Sequence, residues 1–417
     1  MTAQTRAVGA AWDDAWLLDG KRTPFADYIG ALAQISPIDL GIKAARAAIA
    51  QCEINAEDIG TVIAGNMAQA SFDAYMLPRH IGLYSGVPTE VPAHLVQRVC
   101  GTGIEVLTQA ADAVTHRGLD LALCVGTESM SRNPVASYTS RAGFRMGQVE
   151  FKDFLWEALL DPACAASMGD TAENLARQYQ ITRPEVDEYA ARSFERALQA
   201  QQSGFVAGEI VPVETEAFAL EGYQSRGIKL DRKTASVAAD THVRPSPIEA
   251  LAKIRPAFGG VQTGGNSSAV VDGAAAGIVC SGACARAHGR APLARIVACV
   301  AVGCPPEIMG IGPAPAIRAL LEKTGLKLSD IDRIEINEAF GAQVMACARE
   351  LGLDEDRLNV NGGSIAIGHP LGATGIRLAL TLARELNRAG LRRGIASACI
   401  GGGQGIAMLI ECGAPHR

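Results

Sequence analysis

The feature that most constrains the fold is an internal repeat with a constant spacing. Residues 58–66 have the sequence DIGTVIAGN, and the similar sequence DIDRIEINE follows 272 positions later at residues 330–338. Residues 101–104 (GTGI) match residues 373–376 (ATGI) at the same offset of 272. Short matches arise by chance, but two matches in the same order at one spacing predict two copies of one structural unit.

Each copy alternates short runs of Val, Ile and Ala with helical periodicity, which is typical of parallel sheets covered by helices. A third match, between residues 124–126 and 399–401, has an offset of 275. We therefore predict an α/β protein with an N-terminal half at residues 1–285 and a C-terminal half at residues 286–417. The helical period in the first copy is shown by Ile104, Leu107, Ala111 and Val114.

A region of different character, about residues 130–265, lies between the copies. It contains two charged helical patterns, at 170–180 and 183–204, and then an irregular polar stretch from 214 to 247. Thr182 and Glu185 have the spacing of a capping box at the start of the second helix. We interpret this region as an insertion in the first half that crosses one sheet and covers the functional site.

Composition excludes several classes of protein. The chain has 417 residues, of which 48% are hydrophobic and 20% charged, so it has enough apolar mass for large cores. A net charge of −6 without a basic block argues against nucleic-acid binding. No apolar run reaches the length of a membrane span, and no secretory or transit segment is evident, so we expect a cytoplasmic location.

The 11 cysteines are scattered rather than paired. Cys280 and Cys284 are four residues apart, with no CxxC pair and no histidine at ligand spacing, so we expect no metal site. Reduced thiols in a cytoplasm fit this pattern better than a disulfide framework.

Three residues stand in glycine-rich turns and carry the chemistry. Cys100 lies in VCGTG at a predicted helix start, where free N–H groups favour a thiolate. His369 lies in GHPLG, and Cys399 ends an apolar run before GGGQG. Two cysteines and a histidine in such turns indicate covalent chemistry on a thioester.

Each of these residues also has a structural reading. A lone cysteine is usually a small buried hydrophobe, and a histidine is often a hydrogen-bonded structural group. The glycine loop after Cys399 could bind phosphate, although no GxGxxG or GKS/T spacing accompanies it. Asn337, at a predicted strand end, could be an ordinary turn residue.

Taken together, the motifs resemble the thiolase family over nearly the whole chain. The resemblance implies two similar α/β halves in five α-β-α-β-α layers, with a loop domain inserted in the first half. The matching segments are residues 99–103, 128–131, 168–174, 337–340, 361–375 and 399–405.

The resemblance also implies roles for the site residues. Cys100 is the acylated nucleophile, His369 accepts its proton and helps hold the thioester oxygen, and Cys399 moves the proton at the α-carbon of the second acyl-CoA. Asn337 holds a water that forms one oxyanion hole with His369. The backbone N–H groups of Cys100 and Gly401 form the other oxyanion hole.

Further positions match the family's pocket for the acyl group and CoA. They are Met168, Arg244, Ala257, Phe258, Ser268, Met309, Ala339 and Phe340. The sequence departs from short-chain biosynthetic members at Ser167, where these often carry His, and at Ala250 and Leu251, which replace a Ser-Met pair. Arg244-Pro245 is more similar to degradative or broad-range members.

The resemblance predicts an acetyl-CoA C-acyltransferase that reversibly cleaves 3-ketoacyl-CoA, with CoA and acyl-CoA as substrates and no other cofactor. It implies a homodimer or homotetramer. Alternatives are a strictly short-chain acetoacetyl-CoA-forming enzyme, a carrier-protein-dependent ketoacyl synthase and a non-catalytic CoA-binding subunit. The presence of Cys399 argues against the synthase, and retention of all three reactive residues argues against the non-catalytic subunit.

Overall fold

A computed structural model describes residues 6–289 and 291–413. The predicted halves begin at residue 1 and end at residue 417, so their outer ends, residues 1–5 and 414–417, lie outside the described residues. The strands are β1 (Ala7–Arg22), β2 (Ala26–Asp27), β3 (Thr61–Gly65), β4 (Ala93–Val96), β5 (Leu121–Glu128), β6 (Val135–Ala136), β7 (Lys152–Asp153), β8 (Leu160–Asp161), β9 (Ala166–Ser167), β10 (Val213–Glu214), β11 (Glu216–Phe218), β12 (Arg226–Ile228), β13 (Ser236–Val237), β14 (Val271–Ser281), β15 (Ala294–Gly303), β16 (Arg333–Ile336), β17 (Arg393–Ile400) and β18 (Gln404–Glu411). The helices are α1 (Pro37–Cys52), α2 (Leu77–Tyr84), α3 (Thr102–His116), α4 (Phe154–Ala158), α5 (Met168–Gln178), α6 (Arg183–Gln202), α7 (Ile248–Leu251), α8 (Gly282–Ala287), α9 (Pro313–Thr324), α10 (Gly341–Leu351), α11 (Ser364–Ile367) and α12 (Leu371–Ala389).

The repeat predicted from the sequence is visible in the order of the strands. One set of four runs β3-β5-β14-β1, and the second set runs β16-β17-β18-β15 in the same relative order. Strands β1 and β15 pair antiparallel and join the two sets, with Ala7 opposite Val302. Two copies of one α/β unit therefore make up the framework.

The sheets are mixed, which corrects the expectation of parallel sheets. The pairs β3–β5 and β16–β17 are parallel, whereas β5–β14 and β17–β18 are antiparallel. Only three residues, 401–403, connect β17 to β18. A parallel pair needs a crossover of a dozen residues or more, so this short glycine turn forces an antiparallel return. Gly402 and Gly403 adopt φ values of 85° and 82° there.

Side chains alternate between the two faces of each strand and so separate the protein into layers. On β14, Ala275 and Val279 face a central apolar cluster, while Ala274 and Ile278 face an outer one. The central cluster surrounds α3 and α12, and the outer cluster lies under α1 and α2. A third cluster lies under α9 and α10. The order is helix, sheet, helix, sheet, helix, as the resemblance implied.

The two central helices cross at glycines that occupy equivalent positions in the repeat. A Cβ added to Gly103 of α3 would lie 2.7 Å from the backbone N of Gly375 of α12. A Cβ on Gly375 would lie 2.2 Å from the backbone N of Ile104. Only glycine permits this approach, and it brings together the turns that precede both helices. Those turns carry Cys100 and His369.

The segment between β5 and β14 contains α4–α7 and short two-stranded pairs that do not join the ten-stranded sheet. The predicted helices at 170–180 and 183–204 correspond to α5 and α6. The N–H of Thr182 donates to Glu185 Oε2 at 2.7 Å, which confirms the predicted cap of α6. The predicted boundary between the halves, at 285/286, falls within α8.

Candidate active site

A cavity of about 240 Å³ lies beside the starts of the two central helices. Its lining is mostly apolar, which suits an acyl chain. It is lined by Cys100, Met130, Trp156, Leu159, Ser167, Met168, Gly169, Ala257, Phe258, Thr263, Gly264, Ser267, Ser268, Ala269, Val270, Met309, Ala339, Phe340, His369 and Leu371.

Cys100 is presented by a strained turn just before α3. Val99 adopts a positive φ of 45°, which is a genuine outlier for a β-branched residue. The hydroxyl of Thr102 donates to the carbonyl of Val99 at 2.6 Å and accepts from the N–H of Arg98 at 2.9 Å. The side chain of Thr102 thus holds the turn in place and fixes the thiol at the cavity wall.

The surroundings of Cys100 favour the neutral thiol, contrary to the thiolate expected from its place at a helix start. Burial raises the pKa of Cys100 to about 11, and the carboxylate charge of Glu128 adds to this rise. Two backbone N–H groups, those of Gly401 and of Cys100 itself, hydrogen-bond the sulfur and lower the pKa. These are the two donors that the resemblance assigns to an oxyanion hole, and the fold brings both to one atom.

His369 lies in the wall of the same cavity and is 5% exposed. Its Nδ1 is 2.6 Å from Thr374 Oγ1, and its Nε2 is 3.2 Å from Asn337 Nδ2. Burial, helped by the positive charge of Arg377, lowers the pKa of His369 to about 3. The imidazole is therefore neutral near pH 7 and can accept a proton.

Asn337 follows β16, as the sequence predicts, and is fully buried. Its Oδ1 accepts from the hydroxyl of Ser364 at 2.7 Å, while its Nδ2 faces His369 directly. Asn337 is not among the residues that line the cavity. It reaches the cavity through the histidine.

Cys399 lies one residue before the end of β17 and is fully buried. It packs with Met309 and Ala339, which line the cavity, but is not itself part of the lining. Burial raises the pKa of Cys399 well above its ordinary value, and a negative charge on nearby Cys100 would raise it further. The two predicted reactive cysteines are thus brought into one neighbourhood from opposite halves of the repeat.

Seven of the eight predicted pocket residues line the cavity, and Arg244 does not. The side chain of Arg244 is exposed and turns toward the inserted region instead. Its guanidinium lies 5.5 Å from the centre of the Phe194 ring, and its Nη1 donates to the carbonyl of His242 at 3.1 Å. The seven are Met168, Ala257, Phe258, Ser268, Met309, Ala339 and Phe340.

Several functional neighbours were not predicted from the sequence. Trp156 and Leu159 line the cavity from the inserted region, where the sequence has no periodic signal, and Met130 lies in the matching segment 128–131 but was not assigned to the pocket. Thr374, five residues after His369, is equivalent to Thr102 in the repeat. This equivalence could have identified Thr374 from the sequence. Within 6–289 and 291–413, no cluster of three or more His, Cys, Asp or Glu side chains could hold a metal ion.

The fold and the cavity define an acyl-transferring enzyme. Family models described as "Thiolase, N-terminal domain" and "Thiolase, C-terminal domain" match residues 16–283 and 290–412. The chain belongs to the thiolase family.

Similar proteins and solved structures support this assignment. The mitochondrial 3-ketoacyl-CoA thiolase of Bos taurus is 42% identical over 95% of this chain and 98% of its own. The acetyl-CoA acetyltransferase of Syntrophomonas wolfei is 39% identical over 99% of this chain and 100% of its own. The crystal structure of human mitochondrial 3-ketoacyl-CoA thiolase in complex with CoA superposes with a TM-score of 0.89 at 40% identity, covering 96% of this chain and 98% of that one.

Proposed function

We propose that the protein is an acetyl-CoA C-acyltransferase that cleaves 3-ketoacyl-CoA with CoA and runs the reverse condensation. The observation that carries this proposal is the pair of N–H groups, from Cys100 and Gly401, that meet at the Cys100 sulfur beside a neutral histidine. Relatives named for thiolase and acetyltransferase activity, at about 40% identity over nearly the whole chain, support it.

The geometry supports acyl transfer in two steps. In the first, Cys100 gives its proton to Nε2 of His369 and attacks the carbonyl next to the bond that breaks. The N–H groups of Cys100 and Gly401 stabilise the oxyanion, and donors of this kind each contribute roughly 3–4 kcal/mol. In the second step, CoA takes the acyl group from the sulfur and regenerates the thiol.

Carbon–carbon cleavage leaves an enolate that must gain a proton at its α-carbon. We assign this proton transfer to Cys399, because its raised pKa keeps the thiol protonated and able to donate. Nε2 of His369, with a water held by Asn337, would hold the enolate oxygen. In condensation the same groups act in the opposite direction.

We further propose CoA as a substrate and a homodimer or homotetramer as the assembly. Large apolar side chains are exposed at two places, Phe72 and Tyr75 in one loop and Tyr138, Met146 and Phe151 in the inserted region, which supports association. Light scattering after gel filtration measures the assembly. No helix in the described part of the chain is long and apolar enough to cross a membrane, and the cytoplasmic location stays a prediction.

The decisive experiment is thiolysis of acetoacetyl-CoA and of a series of longer 3-ketoacyl-CoAs. We expect Cys100→Ala and Cys399→Ala to abolish the activity. Cys164→Ala, which removes a partly buried cysteine outside the cavity lining, should retain it. Activity on acetoacetyl-CoA alone would favour the short-chain alternative. No activity on any substrate while CoA binds would overturn the proposal in favour of a non-catalytic subunit.

A further inference from the structure

A continuous row of buried polar groups leads from Arg377 to His369. Arg377 Nη2 is 3.3 Å from Ser364 Oγ, which is 2.7 Å from Asn337 Oδ1. Asn337 Nδ2 is in turn 3.2 Å from His369 Nε2. All four side chains are at most 5% exposed, so water does not compete for these contacts. No step of the proposed chemistry involves Arg377 or Ser364 directly.

Arg377 fixes the direction of the first hydrogen bond in this row, and the single proton of the Ser364 hydroxyl fixes the direction of the second. A guanidinium has five donors and no acceptor, so Arg377 can only donate to Ser364, whatever the charge of its other partner, Glu335, at 3.2 Å. The Ser364 hydroxyl accepts there and has its own proton free for Asn337. Only the carbonyl oxygen of the Asn337 amide can accept that proton.

The orientation of Asn337 then determines which nitrogen of His369 carries the proton. With Oδ1 occupied by Ser364, the NH₂ group of Asn337 faces Nε2 of the imidazole. An NH₂ group can only donate, so Nε2 must be the unprotonated nitrogen and Nδ1 must carry the hydrogen. An unprotonated Nε2 has the lone pair that a base requires, and proton transfer from Cys100 would replace the Asn337 hydrogen bond to it.

Thr374 completes the arrangement on the far side of the ring. Its hydroxyl is 2.6 Å from His369 Nδ1 and 3.2 Å from the carbonyl oxygen of Pro370, and it can donate its one proton to either. A hydroxyl can serve a histidine nitrogen as donor or acceptor, so Thr374 alone does not choose the tautomer. Because the hydrogen bonds from Arg377 to Asn337 leave the His369 proton on Nδ1, the Thr374 hydroxyl accepts from that N–H and holds the ring in place.

We propose that Arg377, acting through Ser364 and Asn337, sets the tautomer of His369, and that Thr374 locks the ring in that state. Both are positioning residues, since neither touches the cavity. The proposal rests on the proposed role of His369 as the base that receives the Cys100 proton. Its structural part, the tautomer, can be measured without any activity.

The test is long-range ¹H–¹⁵N correlation on protein labelled with ¹⁵N-histidine, with His369 assigned by its loss in His369→Asn. We expect wild type to show Nδ1 protonated and Nε2 free. Arg377→Lys, which still only donates, should keep this pattern. Arg377→Gln, which can also accept, and Ser364→Ala, which releases Asn337, should give a mixture of tautomers.

The kinetic counterpart is thiolysis by the same variants. General acid–base catalysis contributes about 10²–10⁴-fold, so Ser364→Ala and Arg377→Gln should lower kcat about 10- to 100-fold with little change in KM. Thr374→Val should behave likewise, and Thr374→Ser should restore the rate. Thr381→Val removes a buried hydroxyl from the same helix, one that contacts Glu209 rather than the site, and should leave kcat unchanged.

Three results would overturn the proposal. The first is a wild-type spectrum with Nε2 protonated. The second is an unchanged His369 tautomer in Ser364→Ala. This variant tests the proposal even if Arg377→Gln does not fold. The third is equal loss of kcat in Thr374→Val and Thr381→Val, which would indicate a structural effect. An inactive wild type with the expected tautomer would instead count against the proposed function and leave the positioning row in place.

Discussion

The contact between the two central helices gives a prediction whose size can be worked out from the structure. The added methyl group in Gly375→Ala would lie 2.2 Å from the backbone N of Ile104, and that in Gly103→Ala would lie 2.7 Å from the backbone N of Gly375. Ordinary contacts start near ~3.5 Å, so the helices must separate by roughly 1 Å in the first variant and by somewhat less in the second. No side-chain rotation can relieve a clash with backbone.

Two opposing terms set the expected change in stability. Replacing a helical glycine by alanine gains about 1 kcal/mol in helix propensity. Overpacking costs about 1–3 kcal/mol, and a clash with rigid backbone belongs at the upper end. We therefore expect Gly375→Ala to lower the free energy of unfolding by about 2 kcal/mol net, and Gly103→Ala by about 1 kcal/mol.

Urea unfolding followed by circular dichroism measures both changes, and thiolysis measures the functional effect. Activity should fall in the folded variants as well, because separating α3 from α12 moves the Cys100 turn away from the His369 turn. Gly41→Ala in α1 is the matched control, since its methyl group would meet side-chain atoms rather than backbone, namely Ile81 Cδ1 at 2.5 Å, Ile81 Cγ1 at 3.1 Å and Val125 Cγ1 at 3.5 Å. A Gly375→Ala protein that gains stability and keeps full activity would refute the reasoning.

Three further predictions concern buried charge. Alkylation of Cys100 by iodoacetamide, followed by mass spectrometry, should speed up about tenfold per pH unit from about pH 7 toward its pKa of about 11; a rate independent of pH would show a preformed thiolate. The pKa of His369 in the folded protein, about 3, lies below its ordinary value of 6.5, so between these two pH values the unfolded chain binds a proton that the folded chain does not. The free energy of unfolding should therefore fall as the pH drops from 6.5 toward 3. His369→Gln should flatten this part of the stability curve, and an identical curve would contradict the assignment. Arg22→Met leaves two buried partners, Glu209 and Asp240, unpaired and should cost about 3–5 kcal/mol in urea unfolding; a loss below about 1 kcal/mol would mean that the carboxyl groups become neutral without penalty.

Much of the framework could be read from the sequence because it is encoded locally. The constant offset between 58–66 and 330–338 predicted two copies of one unit, and the strand orders of the two halves confirm it. The capping box at Thr182 and the strand end before Asn337 depend on neighbouring residues, and both were predicted correctly. The expectation of parallel sheets was wrong for β17 and β18, because the three-residue turn at 401–403 returns the chain antiparallel.

The glycine-framed motifs mark Cys100, His369 and Cys399 as reactive from the sequence alone, because a turn that exposes a thiol or an imidazole requires glycine nearby. Their meeting is a matter of tertiary structure. The N–H of Gly401 reaches the sulfur of Cys100 from the other half of the chain, and the row from Arg377 to His369 draws on a strand end and two helices. Sequence determines which groups are available and which local turns they occupy. Helix crossing and burial decide the distances, the proton positions and the pKa values, because these depend on contacts between residues that are far apart in the chain.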